Sequence, residues 1–452
     1  MSSRVRRSRG EQSSLAGGAG SIRIDFIDVD HPRSLEGDSD HASALVVFTR
    51  RNVPIASSMV ELPIEEANLK LPPATLHDST FDSHVQSLFD VADTELPRIS
   101  VVIPSIIGRV DELAIALESL RDLDYPDYEI VVVDNRRSIP VDDPLPALVG
   151  ERPWVRVVRE SRPGISAARN AGVKHSSGDI IAFTDDDVRV DRGWLRALGA
   201  RFALDSSLGA VTGLILPAEL ESPAQVWFER YYGGFGAERS FEALTIEPDT
   251  SYRSILRGSR VLARNVVDKP VKQFAVYGVG TYGAGANMAF RRSAFETISD
   301  FDVALGVGTP ARGGEDLAAL IDVLWKGGSI GYEPAAFVHH RHRREYDELV
   351  HQLDGYGLGF GAMLTSLVWH DKRHLACMLA HVPLVTTRLV KGAFAHVPGA
   401  NPKASGQPAG PRPVASYPRA LIRRDLRSWP RGPFAYARSR RFWREAAGTS
   451  AP

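Results

Sequence analysis

The residues best suited to chemistry in this chain are acids that follow apolar runs. Asp185-Asp186-Asp187 comes directly after the run Ile180–Phe183, with only Thr184 between. Three adjacent carboxylates crowd like charge, which is costly unless a cation or hydrogen-bond donors meet them. Oxygen ligands of this kind suit Mg2+ or Mn2+, with a substrate diphosphate completing the shell. A solvated acidic turn carries the same short pattern; the apolar run before it favours the metal. Glu315-Asp316 follows Gly313-Gly314 and opens a helical pattern. A carboxylate there could act as a general base. Acids are favoured in a first helical turn in any case, where they meet the positive end of the dipole, and alone the pair reads as structural. His339-His340-Arg341-His342-Arg343-Arg344 combines a common metal ligand with side chains that pair with phosphate. A solvated basic loop explains it as well as a segment closing over an anionic ligand held by the aspartates.

Gly278-Val-Gly280-Thr-Tyr-Gly283 fits G-x-G-x-x-G. A dinucleotide fingerprint follows a strand early in a βαβ unit and opens a helix. Here the glycines run on to Gly285 and Ala286–Phe290 looks extended, so the segment reads as a flexible substrate loop, not an NAD site. G-x-x-x-x-G-K-[ST] is absent, which speaks against a P-loop NTPase. Basic and aromatic residues do not interleave as in an RNA-binding sheet, and no nucleic-acid partner is expected.

The elements that must position these residues follow from hydrophobic periodicity. Ile99-Ser-Val-Val-Ile103, Ile130-Val-Val-Val133, Val155–Val158 and Asp179–Phe183 read as buried strands. Leu113, Leu117 and Leu120 recur at helical spacing, and a second helix runs from Ser166, a possible cap, to about Lys174. Strands alternating with helices in this way predict an α/β fold with a mainly parallel twisted sheet flanked by helices. Ligands in such sheets sit at the carboxyl ends of the strands, where Asp134 and the three aspartates fall. Glu315 to Trp325 is a clear helix with Leu317, Leu320, Ile321 and Leu324 on one face.

Outside this region the chain is less informative. Residues 1–41 read as mostly disordered, with one strand possible at Ile22–Val29. Residues 42–97 form a small β-rich appendage and linker, with a hairpin around Asn52-Val-Pro54. The α/β domain spans 98–345, a helical extension 346–397, and a Pro-rich linker with a basic tail 398–452. The chain has 54 Lys+Arg and 55 Asp+Glu, a net charge of −1. From Asn401 onward it carries eleven basic and two acidic residues, so the first 400 residues are at −10. An acidic body with a basic tail argues against nucleic-acid binding by the body and leaves open a tail that meets an anionic surface. Gly355–Trp369 and Leu375–Thr387 are uncharged or nearly so, but short for spanning helices. A cytoplasmic location is the default, with room for a peripheral membrane contact through 355–387 and the basic tail. The single cysteine, Cys377, excludes an intrachain disulfide and any metal site built from several cysteines.

Together the motifs resemble the family 2 glycosyltransferases with a GT-A fold, over about Ile99 to Arg344. Ile99-Ser-Val-Val-Ile-Pro104 looks like the family's opening strand and Tyr128-Glu-Ile-Val-Val-Val-Asp-Asn135 like its second. Pro163-Gly-Ile-Ser-Ala-Ala-Arg-Asn170 matches the Gly-x-x-x-Ala-Arg-Asn helix, and Asp179–Asp187 matches the strand and D-x-D. Gly285-Ala-Asn-Met-Ala-Phe-Arg291 is similar to the segment beneath the donor sugar, Gly314-Glu-Asp316 resembles the catalytic-base motif, and Pro334 with His340-Arg-His342-Arg343 resembles the closing His-rich segment. One departure is the run Ser105-Ile106-Ile107-Gly108-Arg109, where the family usually has Thr and then polar or aromatic residues.

The resemblance implies an inverting transfer of a sugar from a nucleotide-diphospho-sugar to an acceptor hydroxyl, in making a cell-surface polysaccharide, glycolipid or glycosylated metabolite. It implies that Asp134 contacts the nucleoside, that Arg169, Asn170 and Asn287 help hold the donor, and that Asp185 and Asp186 face its ribose or diphosphate. Asp187 and His340 would bind the metal, Mg2+ or Mn2+. Asp316 would be the general base, with Glu315 beside it. A nucleotidyltransferase would instead show an early glycine-rich, Arg-containing loop, and Ser105–Arg109 is not one. A catalytically degenerate nucleotide-binding relative would lack the aspartates or the base, and all are present.

Overall fold

The computed structural model describes residues 21–70, 79–235, 239–251, 258–381 and 427–448. The expected linker at 398–418, and the part of Leu375–Thr387 beyond 381, lie outside these residues. Near its start the chain builds a three-stranded sheet from β1 (Arg23–Asp28), β2 (Ser43–Arg50) and β3 (Val53–Glu61). β1 falls on the strand possible at Ile22–Val29 within the stretch expected to be mostly disordered, and its Ile27 is buried with Val46 and Phe48. β2 and β3 are joined by Arg51-Asn52, both at positive φ, the conformation that matches the twist of a two-residue hairpin.

The central sheet holds β4 (Ile99–Ser105), β5 (Tyr128–Asp134), β6 (Val155–Arg159), β7 (Ile180–Phe183), β8 (Val188–Val190), β9 (Leu208–Pro217), β10 (Leu244–Pro248), β11 (Arg260–Asn265), β12 (Pro270–Ala275), β13 (Met288–Arg291) and β14 (Ser329–His340). The predicted parallel arrangement is present in the half ordered β7-β4-β5-β6. The rest is mostly antiparallel: β13 runs against both β7 and β9, and β10, β11 and β12 alternate beyond β14. Only the β9–β14 pair there is parallel. The two inner parallel strands, β4 and β7, are buried along their length, as strands covered on both faces must be, whereas the edge strand β6 is mostly exposed. Leu113, Leu117 and Leu120 of the Val110–Arg121 helix cover one face, and Leu320, Ile321 and Leu324 of Glu315–Trp325 belong to the core on the other.

The Tyr346–His370 helix contains the glycine-rich stretch that left room for a membrane contact. Here its glycines point inward: Gly355, Gly357, Gly359 and Gly361 are buried with Ala362, Met363 and Leu367. A Cβ on Gly359 would sit 2.8 Å from the Gly313 Cα, so only glycine lets the loop before Glu315 come this close. The basic tail is also not loose over its described part. Pro430 and Pro433 fall in a short 3-10 turn and in the first turn of a Gly432–Gly448 helix, where a missing N–H is harmless. That helix packs on Tyr346–His370, with Tyr436 buried and its hydroxyl donating to Asp302 at 2.8 Å. Among the described residues no helix is long and apolar enough to cross a membrane.

Candidate active site

Strand register brings the predicted acids and histidine together. Ser105 lies opposite Asp134 in the β4–β5 pair, and Val102 opposite Phe183 in β4–β7, so the aspartates emerge beside the end of β4. The chain then enters β8, whose Val188 pairs with His340 of β14. This register sets the His340 imidazole beside Asp187, with Nε2 3.4 Å from Oδ1. Asp185, Asp187 and His340 each offer a ligand atom within 4.8 Å of the others.

Cations border the cluster without balancing it. Arg109 donates to Asp187 at 2.9 Å and to Asp186 at 3.3 Å, and Arg343 lies 3.8 Å from Asp187. Asp186 also accepts from Ser105 at 2.6 Å. Arg169 is buried between Glu315, at 2.6 Å, and Asp185, at 3.7 Å. Five carboxylates (Asp185, Asp186, Asp187, Glu315 and Asp316) thus face three arginines. Burial pushes the Asp185 carboxyl up to about 7, with Asp187, Asp186 and Glu315 adding to the rise against Arg169. Burial and the adjacent Asp316 push Glu315 up as well. Burial also works to raise Asp187, but His340, Arg109 and Arg343 outweigh it and hold this carboxyl below its ordinary range. Burial pushes His340 down to about 4, so it is neutral at pH 7 and its nitrogens are free to ligate. With the carboxylates ionised the excess is two negative charges, which one divalent cation balances. His340 Nδ1 is buried without a partner, and two carboxylates with one imidazole form a chemically sensible donor set.

The candidate base, Asp316, sits one helical position after Glu315, the partner of the buried Arg169. Gly314 adopts φ 88°, and Glu315–Trp325 starts immediately after it. Asp316 is half-buried and accepts from the Gly285 N–H at 2.7 Å and the Leu317 N–H at 2.8 Å. A side chain on Gly285 would collide with the Arg169 guanidinium, so this glycine lets the loop pass between arginine and base.

Several predicted donor-binding residues have other work. Asn287 is fully buried: its Oδ1 accepts from Trp194 Nε1 at 2.8 Å, and its Nδ2 donates to Leu214 O at 3.0 Å and Ala336 O at 2.8 Å. Between Glu333 and Val338, β14 advances five residues while β9 advances two. Asn287 binds the Leu214 carbonyl of β9 and the Ala336 carbonyl of β14 at that bulge, so it staples the strand that carries His340. Asn170 is committed to the Phe301 backbone, donating to its carbonyl at 2.9 Å and accepting from its N–H at 3.0 Å. Arg169 is 1% exposed and engages Asp185 and Glu315. Asp134 is buried with both oxygens taken by Arg136 and with Arg159 2.9 Å from Oδ1, so this end of the edge presents arginines. His339 points away, edge-on to Phe26 and Phe337. His342 pairs with Glu229 at 3.1 Å. Of the G-x-G-x-x-G segment Gly278–Gly283, the first four residues belong to a 3-10 turn, Val276–Thr281, with Val276 and Val279 buried, a packed segment instead of a flexible loop.

Sequence reasoning missed the role of Arg109. Its signal was positional: it lies four residues past the end of β4, the strand that proves to be the direct neighbour of the aspartate-bearing β7.

A half-parallel, half-antiparallel sheet flanked by helices, with an acidic cluster able to hold a metal ion at one strand edge, defines an α/β domain. Residues 100–299 match the model of glycosyl transferase family 2. The pre-mycofactocin glycosyltransferase of Mycobacterium tuberculosis is 27% identical over 265 residues, covering 57% of this chain and 46% of that protein. Glycosyltransferase AglE of Haloferax volcanii is 28% identical over 193 residues, 40% of this chain and 56% of that one. The chain thus spans about half the length of these curated relatives. Among solved structures, the mannosyltransferase PcManGT from Pyrobaculum calidifontis in complex with GDP-Man and Mn2+ overlaps 77% of this chain and 93% of its own, at 17% identity and a TM-score of 0.43.

Proposed function

We propose that this chain is an inverting glycosyltransferase that moves a sugar from a nucleotide-diphospho-sugar to an acceptor hydroxyl. The observation that carries this reading is the Asp185, Asp187 and His340 cluster on the same strand edge as a half-buried carboxylate, Asp316. Asp316 takes the acceptor proton; two backbone N–H groups hold its carboxylate in place, and Glu315, tied to Arg169, is its support. The acceptor oxygen attacks the anomeric carbon opposite the leaving group, so configuration inverts and no covalent sugar–enzyme bond is needed. Arg109 and Arg343 supply fixed positive charge where the leaving nucleoside diphosphate develops negative charge. Asp187, Asp185 and His340 would hold a divalent cation, Mg2+ or Mn2+, which supplies Lewis-acid stabilisation of the diphosphate. The imidazole tilts the set toward Mn2+, because Mg2+ favours oxygen ligands.

The test is thermal stability of the purified protein with UDP, GDP, dTDP and CDP, each with and without Mn2+. A ligand at about 100 times its dissociation constant adds about 2.7 kcal/mol. A cation-dependent rise with one diphosphate, and turnover of the matching sugar donor, is the expected result. No rise with any of them, or binding with no turnover on a broad acceptor panel, removes the transferase reading.

A peripheral membrane contact is a separate reading, supported by exposed Trp369, Leu375, Leu379 and Phe434 near cationic segments. Co-sedimentation with anionic vesicles tests it, and absence of bound protein ends it.

A further inference from the structure

The Gly432–Gly448 helix lies outside the family match, yet it reaches the strand edge on which the donor would lie. It leaves Gly361 at Gly432, passes Asp302 through Tyr436 and stacks Arg440 on Trp369 with the guanidinium 4.1 Å from the ring centre. Its far end meets two arginines of the sheet edge. The Arg137 guanidinium lies 5.0 Å from the Phe442 ring centre, and that of Arg162 lies 5.2 Å from Trp443. Arg137 follows the end of β5, and Arg162 follows the end of β6. The two segments are laced together by Asn135, whose Nδ2 donates to Glu160 O at 2.8 Å and Arg162 O at 2.7 Å, and whose Oδ1 accepts from the Gly164 N–H at 3.1 Å. Arg162 itself forks onto Glu160 at 2.8 and 2.5 Å, which fixes its plane.

The spacing of the sheet gives this contact a meaning. A diphosphate held near Asp187 lies at the end of β7. β5 is two strands away, about 9.5 Å at the ordinary strand spacing. That is the reach of a ribose and base attached to the diphosphate. The nucleoside end of a donor would therefore arrive where Arg137 and Arg162 stand.

We propose that the Gly432–Gly448 helix is a wall of the donor site. Phe442 and Trp443 hold the Arg137 and Arg162 guanidiniums at the edge of β5 and β6, and the nucleoside docks against those arginines. Phe442 and Trp443 are positioning residues: they act through the arginines and take no part in sugar transfer. The inference rests on the transferase reading above.

The experiment measures, by calorimetry with Mn2+, the dissociation constant of the nucleoside diphosphate that the full chain binds, and kcat and KM for its sugar donor. For Trp443→Ala and for Phe442→Ala, the dissociation constant and the donor KM are expected to rise about fivefold, the value of one cation–π contact, with kcat at saturating donor unchanged. Trp443→Phe keeps a ring and should restore affinity. Phe442→Leu keeps apolar contact but removes the ring face, so it reads the same effect if an alanine variant does not fold. Arg441→Ala, on the exposed side and paired with Glu445 at 2.8 Å, should change nothing. Unchanged dissociation constants in the folded variants, or a fall in kcat and melting temperature at constant affinity, would overturn the proposal while leaving the transferase reading intact. Absence of nucleotide binding by the unaltered chain overturns both.

Discussion

The strand edge has two halves, and they treat charge differently. At the ends of β5 and β6, Asp134, Asp143 and Glu160 are matched by Arg136, Arg159 and Arg162, with contacts as short as 2.5 Å. Around β7, β14 and the Glu315–Trp325 helix, carboxylates outnumber arginines, and His340 Nδ1 and His342 Nδ1 are buried without partners. The first half is electrostatically finished. The second stores unmet demand for a cation. Paired charge here builds scaffold and docking surface, whereas unmet charge marks where chemistry takes place.

Breaking the unmet half should damage rate far more than stability. Asp316→Asn removes the base and should lower kcat about 10²- to 10⁴-fold while leaving nucleotide affinity in place, as steady-state kinetics with calorimetry will show. Asp187→Ala should lower turnover about a thousandfold and abolish the Mn2+-dependent part of the nucleotide thermal shift. Retention of that shift would mean that the cluster does not hold the ion.

Breaking the scaffold should do the reverse. Asn287→Ala leaves buried carbonyls of Leu214 and Ala336 and the Trp194 indole N–H without partners. Denaturant unfolding should show a loss of about 3 kcal/mol. If the loss is small and donor KM rises instead, Asn287 belongs to the donor site after all.

The smallest expected effect is a change in pH profile. Asp134 is held below the ordinary 3.8: burial works to raise it, but the Arg136 bonds and Arg159 outweigh that. A depressed carboxylate contributes stability that is fully present above its unfolded value and is lost as pH falls through the folded one. Asp134→Asn should therefore lower the melting temperature at neutral pH and flatten its acid limb. An unaltered acid limb would mean that the arginines do not depend on this carboxylate.

The sequence made the chemistry legible where burial and polarity change abruptly. Asp185, Asp186 and Asp187 stand out because they end an apolar strand, and Asp316 because a glycine pair precedes an amphipathic helix. Residues whose partners come from distant strands were not legible in the same way. Asn287 and Asn170 look like ligands in a motif, but their amides answer backbone groups left open by a bulge and a loop. Arg109 was invisible as a partner until β4 lay beside β7. The glycines of Tyr346–His370 read as membrane-like because hydropathy does not distinguish small from lipid-facing. The helix of the basic tail was not legible, because Pro430 and Pro433 fall at its start, although they occupy positions where a helix tolerates them.

The bulge in β14 sets how this site tolerates changes in chain length. The strand is phased twice: upstream by β10 and the first part of β9, and downstream by β8 and the end of β9. Between the two anchors lie residues 334–337, slack that the sheet does not count. A one-residue insertion or deletion there should be absorbed locally, straining the Asn287 bond to Ala336 but leaving His340 against Asp187. The same change within Val338–His340 reverses the two faces and turns His339 toward the aspartates. Indel tolerance along this one strand therefore changes abruptly at Val338, and the ligand's identity is protected from any drift in length that arises before it.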